Sequence, residues 1–230
     1  MIKHHPKFEL IQSFVNGDLP ASLSAAIAIH ADMCPLCQKQ IAQLTEQTAE
    51  MSFESANFET AFVDDIDVKE ESDFSEIDFD DMVAQITQSN AIDEIEPRIE
   101  KTITFNEKPY TLPKALTNMT VGKTLQMGKL SRDRLQLDEN EIHTSLLNIE
   151  PGGGVPQHTH KGFELTLLLE GSFNDENGEY TKGDFIMLDG AHTHNPVSAE
   201  GCLCYTVAND ALHFTQGINK LLNPIGSFIY

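Results

Sequence analysis

His158, His160 and Glu164 are spaced by two and four positions, so on one extended strand all three side chains point to the same face. Imidazole and carboxylate groups turned into the inside of a barrel need a metal ion or a complete hydrogen-bond network to offset the loss of water. The surrounding sequence has the matching texture. Short runs rich in β-branched and apolar residues, Thr102–Phe105, His143–Ile149, Leu165–Leu169, Asp184–Leu188 and Leu203–Val207, are separated by Gly, Asn and Pro. They predict an all-β barrel or sandwich after Pro97, with Asn174–Gly178 as a tight turn between two strands.

Before residue 53 the periodicity is helical. Pro6 is expected at a first helical position, followed by apolar Phe8, Ile11, Phe14 and Val15, with Asn16-Gly17 as the stop. A second helix opens after Pro20 and runs through Ala21–Ile29, and a third extends from Leu36 to about Met51. Such a unit has a thin core.

Within it, His30, Cys34 and Cys37 form H-x3-C-x2-C. Pro35 interrupts any continuous helix, so Cys34 is expected to close one helix and Cys37 to sit in the first turn of the next, a geometry suited to chelation. A fourth ligand is available from His4 or His5. Either gives the two-nitrogen, two-sulfur set that zinc favours at closed structural sites, where the metal staples a core too small to be secure alone. Four Cys in all, two of them beside a His, favour metal binding over disulfides and fit a reducing compartment.

Residues 54–98 carry fifteen acidic residues against two basic ones, a local net charge of −13. Phe79, Met82, Val83 and Ile86 fall at i, i+3, i+4 and i+7 and predict a short amphipathic helix near residues 73–88; the segment is either an acidic solvated linker or a docking surface for a basic partner, with these four as apolar anchors and Asp residues as the rim. A domain boundary is expected near residues 90–98. The whole chain, with 15 Lys and Arg against 36 Asp and Glu, has a formal net charge of −21, which repels phosphate backbones and excludes direct nucleic-acid binding. Residues 1–7 lack the apolar segment of a signal peptide, and no run approaches the ~18 consecutive apolar residues of a membrane span. A cytoplasmic protein without a membrane partner is expected.

Two resemblances rest on these motifs. His5, His30, Cys34 and Cys37 together resemble the zinc-binding anti-sigma factor domain, whose pattern is an amino-terminal His and then H-x3-C-x2-C within a small helical bundle; that pattern selects His5 over His4. Gly152, His158, His160, Glu164 and Gly171 match the first cupin motif. Gly183 and His194 partly meet the second, in which Asp189, Ala191 and Ser198 replace the usual Pro, Gly and Asn. His192 shares parity with His194, and spacing from Gly183 favours His194. A sphere of three imidazoles and one carboxylate accepts zinc or another divalent transition metal.

Taken together, the order of these motifs resembles the ChrR-type anti-sigma factors. The resemblance implies an α+β chain of two domains: residues 1–95, a small helical zinc-binding bundle with its acidic segment, and residues 96–230, an all-β cupin of the jelly-roll type. It implies a non-enzymatic transcription regulator that sequesters one extracytoplasmic-function sigma factor in a 1:1 complex and releases it on oxidative stress, such as singlet oxygen, sensed through the cupin. Cys202 and Cys204 are either two small buried side chains or oxidisable thiols near the metal cavity. His143 and His213 have no motif around them and are expected to be structural or exposed. The rival expectation is a cupin metalloenzyme, a dioxygenase or hydrolase, with the zinc unit as a regulatory module.

Overall fold

The structure is a computed structural model, and it describes residues 2–55, 79–88, 100–210 and 213–214. Contacts divide the chain into one compact unit of residues 1–48 with 100–230, and a second of residues 49–99.

Helix α1 (Phe8–Asn16) follows an extended Lys7 and is closed by Gly17, whose left-handed φ of 78° lets the chain turn back onto the last helical carbonyls. Pro6 therefore lies before the helix, not at its first position. Proline disfavours helical geometry in the residue before it, and His5 stays in the extended arm that precedes α1. Helix α2 (Ala21–Met33) is buried on most of its circumference, with Leu23, Ala25, Ala26, Ile27, Ile29 and His30 all shielded. Cys34 ends it, and α3 (Pro35–Ser55) starts at the next residue. Helix α4 (Phe79–Gln88) occupies the later part of the expected amphipathic span; residues 73–78 and the expected boundary at 90–98 lie outside the described residues.

The strands are β1 (Thr102–Phe105), β2 (Lys108–Thr111), β3 (Thr120–Val121), β4 (Leu125–Met127), β5 (Leu130–Gln136), β6 (His143–Ile149), β7 (Gly153–Gly154), β8 (His158–Thr159), β9 (Phe163–Asp175), β10 (Gly178–Thr181), β11 (Phe185–Asp189), β12 (Thr193–His194), β13 (Val197–Ser198), β14 (Cys202–Ala208) and β15 (His213–Phe214). Among the described residues they form a main antiparallel sheet in the order β3-β5-β6-β14-β9-β13-β7, with β10 and β11 also on β9 and β4 on β5, a three-stranded sheet β12-β8-β15, and the separate hairpin β1-β2. The expected turn is a two-residue connection between β9 and β10, where Asp175 Oδ1 accepts the N–H of Asn177 and of Gly178.

Alternation along the central strands separates two cores. Leu203, Tyr205 and Val207 of β14, with Leu146 and Leu165, share a cluster with Leu23, Ala26, Ile27 and Ile29 of α2. Cys202 and Cys204, with Leu147, Ile149 and Leu168, point the other way into the second cluster. The helical segment keeps a thin core of its own around Ile11, Cys34 and Cys37, and its main apolar helix packs in addition on the outer face of the sheet. The buried Tyr205 hydroxyl donates to the Ser22 carbonyl at 2.9 Å and pins that contact.

Candidate metal centres

Two groups of ligand-type side chains converge among the described residues, each with its ligating atoms within 4.8 Å of one another: His5, His30, Cys34 and Cys37, and His158, His160, Glu164 and His194. Both are the expected sets, in which His5 and His194 were implied by the family resemblances and the other residues by their spacing.

The helical cluster is assembled from three pieces. The extended arm supplies His5, whose Nδ1 lies 3.5 Å from both the Cys34 and Cys37 sulfurs. The end of α2 supplies His30 and Cys34, and the first turn of α3 supplies Cys37. His30 donates its Nδ1–H to the Gly183 carbonyl at 2.8 Å, which fixes the tautomer and leaves Nε2 facing the Cys37 sulfur at 3.3 Å. Burial holds His30 below the ordinary imidazole range, so it is neutral, as a ligand must be. Burial and the adjacent Cys34 push the Cys37 thiol up to about 12, a proton that a bound cation has to displace. Ile11, Ile41 and Leu44 pack with the two cysteines in one apolar cluster. Two imidazoles and two thiols in tetrahedral reach of one point suit a closed zinc site. His4, next in sequence to His5, faces elsewhere: its Nδ1 is 3.5 Å from Asp184 and its ring packs on Tyr180 at 4.8 Å.

The barrel cluster does not sit on a single strand. His158 belongs to β8 and Glu164 to β9, with a bend at residues 161–162 between them. The bend preserves the convergence that uniform parity predicted. His194, on β12, pairs across to His158 in register. His160 Nε2 and His194 Nε2 lie 3.0 and 3.2 Å from the same Glu164 Oε2. The His158 and His194 rings are 4.3 Å apart. His158 donates Nδ1–H to the Pro156 carbonyl at 2.8 Å, which turns Nε2 toward the cluster. Burial, the largest effect, lowers His158 to about 4. For Glu164 burial opposes ionisation, yet hydrogen bonds from His160 and His194 and the nearby imidazoles hold it well below the usual carboxylate range. Burial likewise disfavours charge on His194, but Glu164 and Asp175 on its two sides raise it above the ordinary value. An anionic carboxylate among three buried imidazoles is a donor set that fits a divalent transition metal. His192 lies outside, half exposed and 2.7 Å from Asp189 Oδ1.

Cys202 and Cys204 are both buried on the inner face, with sulfurs 3.9 Å apart beside a register shift in β14. The Cys204 thiol donates to Cys202, which lowers Cys202 and raises Cys204. Their burial matches the reading of two small core side chains. His143 is half-buried on β6, and His213 lies in β15.

Spacing alone missed the residues behind the ligands. Asp175, read from sequence as a turn residue, has Oδ2 3.4 Å from His194 Nδ1. Asp184, read as a strand residue, accepts the N–H of Lys3 at 2.7 Å and of His4 at 2.9 Å. No sequence rule links positions 184 and 3.

Known proteins resemble this chain in sequence and in fold. Residues 122–211 match the family described as the ChrR cupin-like domain. The chain is 26% identical over 231 residues to the anti-sigma-E factor ChrR of Cereibacter sphaeroides, a match that spans 97% of each protein. The crystal structure of Rhodobacter sphaeroides SigE in complex with the anti-sigma ChrR aligns with a TM-score of 0.61 at 23% identity, over 90% of this chain and 100% of that one; this likeness is one of fold. The resemblance to ChrR-type anti-sigma factors therefore runs along the whole chain.

Proposed function

We propose that this chain is an anti-sigma factor of the ChrR type, which holds an extracytoplasmic-function sigma factor in a 1:1 complex in the cytoplasm and gives it up under oxidative stress, such as singlet oxygen. The observation that carries this reading is the convergence of His5, His30, Cys34 and Cys37 in a chain that also bears a ChrR cupin-like domain. Those four residues hold zinc, and residues 1–95 act as the inhibitory module. Residues 96–230 act as the sensing module, with His158, His160, Glu164 and His194 holding zinc or another divalent metal. The cupin senses rather than catalyses. Oxidation at Cys202 or Cys204, or a change at the barrel metal, starts release.

Several features support the partner class. A chain with net charge −21 complements a basic partner and speeds encounter. On α4, Val83 and Ile86 are large apolar residues 54% and 68% exposed, as anchors awaiting a groove would be; Phe79 and Met82 share that helix. Among the described residues no helix is long and apolar enough to cross a membrane.

The test is capture by the tagged full chain from host lysate, with retained proteins identified by mass spectrometry. A sigma factor retained by the native chain and released by zinc chelation is the expected result. Failure to retain a sigma factor that is expressed, together with small-molecule turnover by the same preparation, would favour the metalloenzyme alternative.

A further inference from the structure

The connection between β10 and β11 touches both ligand clusters. On its helical side, the Gly183 carbonyl accepts the His30 Nδ1–H, its φ of +93° strains any side chain there, and the Ile2 side chain of the arm lies against it. Asp184 is fully buried and uses both oxygens: Oδ1 takes the N–H groups of Lys3 and His4, and Oδ2 takes the Thr181 N–H at 2.8 Å. Phe185 N–H then donates to the His4 carbonyl at 3.0 Å. Two of the four helical ligands, His5 through its arm and His30 through its ring, are therefore held by this one turn.

On its barrel side, burial and the neighbouring Asp175 carboxylate push the Tyr180 hydroxyl up to about 12. Asp175 has its other neighbour in His194 Nδ1, and His194 Nε2 faces Glu164 within the barrel cluster. The Tyr180 ring rests on His4, adjacent to the His5 ligand. A continuous line of neighbouring groups thus runs Glu164, His194, Asp175, Tyr180, His4, His5. When His194 turns Nε2 to a cation, its Nδ1–H aims at Asp175, the usual arrangement of an outer carboxylate that orients a ligating histidine. The pull on Asp175 is felt by Tyr180 and, through its ring, by the arm.

We propose that the segment Tyr180–Phe185 couples the two clusters: occupancy of the barrel cluster sets how firmly His5 and His30 are held, and so how fast the helical cluster loses its metal. Tyr180, Asp175 and Asp184 are positioning residues in this scheme, and the scheme rests on both clusters being metal sites. Coupling between two sites is reciprocal and typically amounts to about fivefold or more in affinity.

Cobalt(II) is the probe. Charge-transfer absorption from thiolate to cobalt reports the Cys34–Cys37 cluster alone, because the barrel cluster has no sulfur ligand. The full chain is loaded with cobalt, and the loss of this band to a chelator is timed in the native protein, in His160→Ala, in Tyr180→Phe and in the double variant. His158→Ala serves as a second way of emptying the barrel. Emptying the barrel is expected to speed loss by about fivefold or more. In the Tyr180→Phe background the same change should move the rate by less than about twofold, with cobalt content at the thiolate cluster unchanged. A Tyr180 that only supports the fold would instead speed loss equally with the barrel full or empty, and that result overturns the coupling. So does a native rate that does not respond to emptying the barrel. Absence of the charge-transfer band in the native chain overturns the metal-site reading itself, an outcome separate from either of these.

Discussion

At the scale of single residues, the chemistry of the helical cluster depends on protons. Because Cys37 sits up at about 12, it is protonated at neutral pH, and a cation that takes its sulfur must expel that proton. Metal affinity at this cluster should fall as pH is lowered, by about tenfold per pH unit for each proton displaced. Calorimetric titration of zinc in buffers of different ionisation enthalpy counts those protons; release of none would contradict the assignment. Asp184 gives the opposite kind of signal. Burial opposes its charge, but the N–H groups of Thr181, His4 and Lys3 hold its carboxyl below the ordinary value. A group with a depressed folded pKa stabilises the fold above its unfolded pKa and loses that contribution as pH falls through the folded one. Asp184→Asn should cost about 1–3 kcal/mol at neutral pH, and its melts should show a smaller loss on acidification than the native protein. Equal acid sensitivity would show that the clamp contributes nothing. His30, Cys34 and Cys37 were legible from spacing because metal ligation constrains residue type as well as interval, whereas the choice of His5 over His4 came from the family resemblance. Asp184 and Tyr180 were not, because their partners are backbone groups and an arm nearly the whole chain away.

At the scale of elements, α2 is the piece that joins the two halves of the first compact unit. Ile27 is fully buried and belongs to the same cluster as Leu203, Tyr205 and Val207 of β14. Ile27→Ala should lower stability by about 2–5 kcal/mol. Helix and barrel should still unfold together, so far-ultraviolet and tyrosine circular dichroism are expected to give coincident transitions. Separated transitions would mean that the helices fold independently of the sheet. The sequence pattern located α2 well, through Pro20 and the break at Cys34-Pro35, yet hid its role, since a helix apolar on nearly every side gives no direction for its buried face. Strand β5 was missed for the reverse reason. Its sequence, Leu130–Gln136, contains Arg132, Asp133 and Arg134, and charge masks a strand in which Leu130, Ser131, Asp133 and Leu135 are buried. Helix α4 was legible because its apolar residues recur at helical spacing. Val83→Asp combined with Ile86→Asp should weaken sigma-factor binding by at least about tenfold and leave the melting temperature unchanged. Unaltered affinity would remove α4 from the interface.

At the scale of the whole molecule, two ligand clusters of different chemistry are joined through one packed unit, and the account assigns them different duties. In the proposed function the cluster with two thiols holds the inhibitory surface together, and the one with a carboxylate among imidazoles answers to the environment. The division of labour predicts two distinct classes of variant. The measurement that tests it most directly is transcription by reconstituted polymerase with the cognate sigma factor, run with stoichiometric native chain, Cys34→Ala or His158→Ala, before and after singlet oxygen is generated by a photosensitiser. The native chain should silence the promoter and relent after exposure. Cys34→Ala should fail to silence at all, whereas His158→Ala should silence and then stay silent. Transcription unaffected by the native chain, or full silencing by Cys34→Ala, would contradict the account.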